Sequence, residues 1–326
     1  VIDDSKILIT GGTGSMGQHL VDFLLANYNP QKVVIYSRNE ANQVDMAERL
    51  GFYKAKLRFI LGSVTDYDRM YRAFKGIDYV IHAAALKVVP KAEYNPLEYL
   101  AVNVNGTKNV ILACCERGIK RAIFLATDKG VMPVNLYGFT KGLAERIWLE
   151  ANYLEPIFSI VRYGNIMGSR GSVINKFIEQ RNRGEKDYEL TQEDCTRYWV
   201  DVRDAIDIVL KAIEDKPGLI YCSKTKAFRI KDLIRAIYLR AELRILGLRE
   251  GEKIHETLIN EYEALRARDY GTYYKIFPAY SFDDEIVYDK EHGERLSGPV
   301  MTSDKHTLMT LKEVRAKVKQ FVDKVW

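Results

Sequence analysis

The run Lys6-Ile7-Leu8-Ile9-Thr10-Gly11-Gly12-Thr13-Gly14-Ser15-Met16-Gly17 decides the fold. Lys6–Thr10 reads as a buried strand, and Gly17–Ala26 continues as an amphipathic helix. Between them Gly11, Gly14 and Gly17 stand at GxxGxxG spacing. A turn without Cβ atoms lets the backbone approach an anion, and the helix behind it offers unpaired N–H groups to that anion. A glycine triplet alone is an ordinary turn. In strand–turn–helix order it is the pyrophosphate cradle of a dinucleotide-binding fold, to which Thr13, Ser15 and Met16 also belong.

Working outward, further apolar runs lie at Val33–Tyr36, Leu57–Leu61, Tyr79–His82, Ala122–Ala126 and Phe158–Val161. They do not alternate with polar residues, as expected of strands buried on both faces. Helical patterns at Ala41–Leu50, Tyr67–Phe74, Leu97–Arg117 and Leu136–Asn152 separate them. This predicts an α/β chain: a Rossmann-type, doubly wound parallel sheet over residues 1–164, with a smaller C-terminal substrate-binding lobe over 165–326 whose segments can cross back. In that lobe helices are expected at Val173–Arg183, Arg203–Glu214, Ile230–Ala241 and Lys312–Val325, and strands at Tyr188–Thr191 and Leu219–Cys222. Segment 266–300, rich in Tyr, Asp and Gly, is expected as loop and strand on the surface.

The 326 residues carry 49 Lys+Arg against 44 Asp+Glu, a net charge of +5 that suits an anionic small substrate and is too weak for a nucleic-acid partner. Cys114, Cys115, Cys195 and Cys222 form no CxxC pair and predict reduced thiols of a cytoplasmic protein. The five histidines have no metal-ligand spacing, so no metal is expected. The first strand begins almost at the first residue, which predicts no signal peptide, and no apolar run reaches the roughly 18 residues of a membrane span.

The second strand ends in Ser37-Arg38 with no acidic residue at 35–38. An NAD site usually places an acid there for the ribose diol, whereas a hydroxyl and a guanidinium suit the 2′-phosphate of NADP. Tyr137 and Lys141 are four apart on one predicted helix face. A neighbouring ammonium lowers a phenol from its ordinary pKa near ~10 and makes it usable as a base. Upstream, Thr127-Asp128-Lys129 follows the fifth strand, where functional residues of doubly wound sheets gather, and Thr127 can hydrogen-bond the oxygen that Tyr137 deprotonates.

With these motifs the chain resembles the extended short-chain dehydrogenase/reductase superfamily, and within it the UDP-N-acetylglucosamine 4,6-dehydratases (inverting) of polysaccharide biosynthesis. The runs that carry the likeness are His82-Ala83-Ala84-Ala85-Leu86-Lys87, Glu93-Tyr94-Asn95-Pro96, Thr127-Asp128-Lys129, Asn135-Leu136-Tyr137-Gly138, Arg162-Tyr163-Gly164-Asn165, Gly168-Ser169-Arg170-Gly171-Ser172 and Gly251-Glu252-Lys253 with His255-Glu256. The likeness spans roughly residues 5–260. The chain departs from the family at Ser63 of Gly62-Ser63-Val64, where an Asp is usual, at Asn42, where a lysine is usual, and at Gly130, where an alanine is usual.

The resemblance implies 4,6-dehydration of a UDP-N-acetylhexosamine with catalytic Thr127, Asp128, Lys129, Tyr137 and Lys141. Tyr137 would deprotonate the 4-hydroxyl, a neutral Lys129 would be the base at C5, and a protonated Asp128 the acid at the 6-hydroxyl. Ser63, Val64, Ala83, Ala84, Ala85 and Asn103 would join the cofactor site. Lys87, Asn165, Arg197, Arg249 and Glu252 would meet the nucleotide-sugar. A UDP-sugar 4-epimerase, which needs no Asp128–Lys129, a C5-retaining dehydratase and a non-catalytic NADP-binding protein are the rival readings. The resemblance also implies a homo-oligomer.

Overall fold

The computed structural model describes residues 1–153, 155–215, 218–279, 293–296 and 301–325. The first part of the chain alternates strand and helix: β1 Lys6–Thr10, α1 Ser15–Asn27, β2 Lys32–Ser37, α2 Glu40–Arg49, β3 Leu57–Leu61, α3 Tyr67–Ala73, β4 Tyr79–His82, α4 Val89–Tyr94, α5 Pro96–Tyr99, α6 Gly106–Arg117, β5 Arg121–Leu125, α7 Leu136–Glu150 and β6 Ile157–Arg162. The strands lie parallel in the order β3-β2-β1-β4-β5-β6. The order reverses at β1, which pairs with β2 on one side and β4 on the other. Ligands of such sheets bind beyond the carboxyl ends of the strands at that reversal.

β1 accounts for the two-layered core. Ile7 and Ile9 point into one cluster with Leu20, Val21 and Leu24 of α1; Leu8 points into the other with Val80, Phe124 and Trp148. Successive strand residues face opposite sides, so an unbroken apolar run must be covered on both. A third cluster around Ile174, Phe177, Tyr188, Phe228 and Leu233 forms the centre of the lobe.

Several features differ from the sequence reading, three of them near the site or the sheet edge. Segment 266–300 is not a surface appendage at its start. Strands Ala267–Asp269 and Tyr273–Ile276 extend the large sheet through Ile220–Ser223, with Ala267 and Ile276 buried. Such three- and four-residue strands carry too little periodicity to be read locally. Residues 280–292 and 297–300 lie outside the described residues. The helix expected over Leu97–Arg117 is present but not uniform: α5 and α6 are joined without a break through a wide turn at Leu100–Asn105 with i→i+5 geometry. Strand Thr196–Val200, which carries Arg197, was not anticipated.

Candidate active site

Gly11 adopts φ +66, and a Cβ there would stand 2.8 Å from the Ala84 backbone. A Cβ on Gly17 would stand 2.6 Å from Gly12. The glycines therefore let the turn fold under α1 and touch the Ala83–Ala85 segment after β4. α1 starts with Gly14 as N-cap, no capping side chain and no acidic residue in its first turn, so its N–H groups and dipole are available to an anion. Thr13 and Met16 line the same turn, and Ser15 Oγ accepts from Arg170 N at 3.0 Å, which ties the Gly168–Gly171 loop to the cradle. At the end of β2 the Ser37 hydroxyl accepts from Gln43 (2.9 Å), while Arg38 is half-exposed, 3.8 Å from Glu98. Ser63 is half-buried, and its carbonyl accepts from Tyr36 Oη.

Two expected cofactor residues turn inward instead. Val64 is buried in the core against Gly106, where a Cβ would come within 2.6 Å of it. Asn103, in the wide turn, accepts from Leu86 N (2.8 Å) and donates to Leu86 O (2.9 Å) and Thr140 Oγ1 (3.1 Å). A buried amide with four capable groups must satisfy them nearby, so Asn103 shapes the wall of the site. His82, given no role from sequence, sits beneath the glycine turn between Thr10 (2.7 Å) and Thr107 (3.1 Å); burial pushes its pKa down to about 3, so it is neutral.

The catalytic candidates meet because two backbones come together. Thr127–Gly130 leaves β5 as a tight turn against the first turns of α7. A Cβ on Gly138 would stand 2.4 Å from Lys129 O, and one on Gly142 2.8 Å from Gly130 O. Gly130 itself has only 3.2 Å to Gly142 N. The glycine at 130 thus belongs to a close turn–helix contact that presents Asp128 and Lys129 beside Tyr137.

Within that contact Asp128 is fully buried. Its Oδ1 accepts from Thr127 Oγ1 (3.0 Å) and Lys129 Nζ (3.1 Å), and its Oδ2 has no partner. Burial pushes the Asp128 carboxyl up, with Lys129 opposing and Glu256 adding to the rise. Tyr137 is buried, hydrogen-bonded to Thr127, and pushed up to about 12 by burial; among the charges, the one that opposes this is Lys129.

Here two expectations fail. Lys141 does not face the phenol: its Nζ donates to Leu125 O (2.8 Å) and lies 3.8 Å from the Phe124 ring centroid, and burial brings its pKa down to about 7. Nor is Lys129 held neutral. Burial alone would lower it, but Asp128 and Glu256 on either side outweigh burial and push its pKa above the ordinary lysine range. Two carboxylates within hydrogen-bond distance favour the charged form more than burial disfavours it.

The substrate candidates divide. Arg197 is engaged by Glu252 (3.5 Å), Glu256 (3.7 Å) and the carbonyls of Thr196 and Ile254. Glu252 also accepts from Thr191 (3.0 Å). Through Glu256 both join the Lys129 cluster. Asn165 presents a buried Oδ1 without a partner. Lys87 donates to Arg170 O (3.2 Å), and its ammonium is close enough to Lys129 to feel it. Arg249 is exposed on the loop before Gly251. Among the described residues no His/Cys/Asp/Glu group could hold a metal, and no helix is long and apolar enough to cross a membrane.

Residues 7–278 match the family described as polysaccharide biosynthesis protein. The UDP-N-acetylglucosamine 4,6-dehydratase (inverting) of Campylobacter jejuni is 40% identical over 290 residues, 87% of this chain and 86% of its own. A UDP-glucose 4-epimerase of Rickettsia bellii is 38% identical over 285 residues, 84% of this chain and 83% of its own. The X-ray structure of Pen from Bacillus thuringiensis superimposes with a TM-score of 0.89 at 30% identity, over 98% of this chain and 99% of that one.

Proposed function

The chain belongs to the polysaccharide biosynthesis protein family, of the extended short-chain dehydrogenase/reductase type, and from that premise we propose that it is a hydro-lyase that removes water across C5 and C6 of UDP-N-acetylglucosamine with NADP as resident cofactor. The observation that carries the reading is the pairing of buried Asp128 with Lys129 on the turn of Thr127, beside Tyr137 of α7. A 4-epimerase needs only the latter two with Lys141.

The cradle fits a dinucleotide: Gly11, Gly14 and Gly17 leave room for a pyrophosphate, and α1 offers uncompensated N–H groups. Arg38 and Ser37 would meet the 2′-phosphate. When bound there, the nicotinamide ring would supply a reversible hydride acceptor for the sugar.

The protein's residues supply the proton chemistry. Tyr137, hydrogen-bonded to Thr127, accepts the 4-hydroxyl proton as its phenolate, the form that the neighbouring Lys129 ammonium favours, as C4 becomes a ketone. That ketone acidifies C5–H. The resting pair carries its proton on Lys129; transfer across the 3.1 Å contact to Asp128 produces a neutral amine and a carboxylic acid at once. The amine takes the C5 proton, and Asp128 protonates the departing 6-hydroxyl, which leaves as water. Tyr137 now holds the 4-hydroxyl proton and Lys129 the C5 proton; return of one proton to the opposite face of C5 gives inversion, and the sum is a 4-keto-6-deoxy sugar plus water with no net redox. The reading also makes this an enzyme of the cytoplasm that works as a homo-oligomer, with the chain divided near residue 164 between cofactor and sugar halves.

Proton NMR and mass of the product from UDP-N-acetylglucosamine test this. The expected result is a C6 methyl doublet and loss of one water. The 38% identity to an epimerase favours a second outcome, a C4 epimer that keeps its hydroxymethyl group, and finding it overturns the dehydratase reading. For the cofactor, Arg38→Ala is expected to weaken NADP binding about 10- to 100-fold, the worth of a charge-assisted hydrogen bond, and to leave NAD binding unchanged. Calorimetry with each dinucleotide checks it.

A further inference from the structure

Glu256 is 2% exposed and enters strand Thr257–Ile259. Its backbone is pinned on both sides by Ser303: N donates to Ser303 Oγ (2.9 Å), and O accepts from Ser303 N (2.8 Å). The side chain therefore has a fixed origin. Its Oε1 accepts from Lys129 Nζ at 3.2 Å and faces Arg197 Nε at 3.7 Å, and Lys253 Nζ lies 3.9 Å from Oε2.

One ammonium is thus flanked by two buried carboxylates in unlike surroundings. Asp128 has Lys129 and the Thr127 hydroxyl as partners. Glu256 has cations from three segments: Lys129 from the turn after β5, Arg197 from Thr196–Val200 and Lys253 from its own loop. The Tyr198 phenol is the other titratable neighbour on that strand. Burial would raise both acids; the three cations reverse this for Glu256, whose carboxyl lies below its usual range, whereas Asp128 is raised. Groups whose surroundings separate them in this way take different proton roles. Asp128 is the one that exchanges a proton with Lys129, and Glu256 stays an anion throughout.

We propose that Glu256 is a positioning residue for water loss, a fixed anion that holds the Lys129 ammonium against Asp128 and keeps the shared proton on that pair into alkaline solution. The proposal rests on the assignment of Asp128 and Lys129 as acid and base. Its consequence is a pH profile. Water loss needs one proton on the pair. Removing the Glu256 charge makes Lys129 release that proton earlier, so the alkaline fall in rate moves to lower pH.

The test measures single-turnover water loss against pH in the holoenzyme for wild type, Glu256→Gln and Glu256→Asp. In Glu256→Gln the alkaline limb is expected at least about one pH unit below wild type, the effect of losing one adjacent opposite charge. Cofactor reduction by the sugar, which draws on Thr127 and Tyr137, should persist. Glu256→Asp keeps the charge but draws it back, so a smaller downward shift is expected. A folded Glu256→Gln with the wild-type limb overturns the proposal; if that variant does not fold, an unshifted limb in Glu256→Asp does. Lys129→Ala separates the two levels. If it still loses water, the acid–base assignment itself fails. If it is blocked while the Glu256 variants keep the wild-type limb, only the role of Glu256 fails.

Discussion

Lys129→Ala and Asp128→Asn are each expected to slow water loss by about 10²–10⁴-fold, the range for removing one general acid or base, while cofactor reduction by the sugar proceeds. The reason for the split is spatial. Oxidation at C4 draws on Thr127 and Tyr137, whereas the C5 and C6 protons draw on the pair. In a single turnover the near-ultraviolet absorbance of reduced cofactor should rise and persist in both variants, more slowly in Lys129→Ala, which loses the charge that opposes the rise of Tyr137, with no methyl signal appearing. The double variant should be little slower than either single one, because Asp128 and Lys129 handle one shared proton and their losses do not multiply. Near wild-type water loss in either single variant sinks the assignment.

What could be read from the chain follows the range of the interactions. The glycine turn was legible because strand, turn and helix occupy neighbouring residues, and the backbone contact of Gly11 with Ala84 expresses the same requirement in space. The meeting of Thr127 with Tyr137 was legible through their place after β5. The charge state of Lys129 was not: it depends on Glu256, which lies far along the chain and meets the turn only in the folded structure. The inward turn of Lys141 was hidden for a similar reason. Helical spacing puts it on the face of Tyr137, but its ammonium finds the Leu125 carbonyl at the end of β5. Asn103 was misplaced because an unsignalled wide turn points its amide at Leu86. The strands at 267–269 and 273–276 become a sheet edge only by pairing with a distant strand.

The same long-range logic makes Arg162 the position of largest expected effect on stability. It ends β6, is 1% exposed, and joins three segments. Its guanidinium pairs with Glu145 of α7, makes two 2.9 Å bonds to Glu263, and donates to Leu258 O at 2.8 Å. Arg162→Met fills the volume but leaves two buried carboxylates without their cation. Breaking a buried pair in this way costs about 3–5 kcal/mol, a large share of the roughly 5–15 kcal/mol that holds a domain folded. Tm should fall by roughly 10 °C.

The pH dependence carries the sign of the mechanism. In wild type, burial would raise Glu263, but Arg162 outweighs it and the carboxyl lies below the usual range. A depressed acid stabilises the fold at pH values above its unfolded pKa, and that contribution is lost as pH falls through the folded value. In Arg162→Met the main opposition to burial is gone, the Asn260 N–H and Arg146 alone remaining, so Glu263 rises and its charge opposes folding at neutral pH. From pH 7 toward pH 4–5 the wild-type contribution is still present, since it is lost only as pH falls below the unfolded value, whereas protonation of Glu263 already relieves the variant, so the stability gap narrows in urea unfolding. Replacing Arg162, Glu145 and Glu263 together with apolar residues of matched volume should recover most of the loss, since a buried ionic triad adds little beyond a well-packed apolar one. A gap that stays constant with pH would mean that the cost of Arg162→Met is packing and not charge.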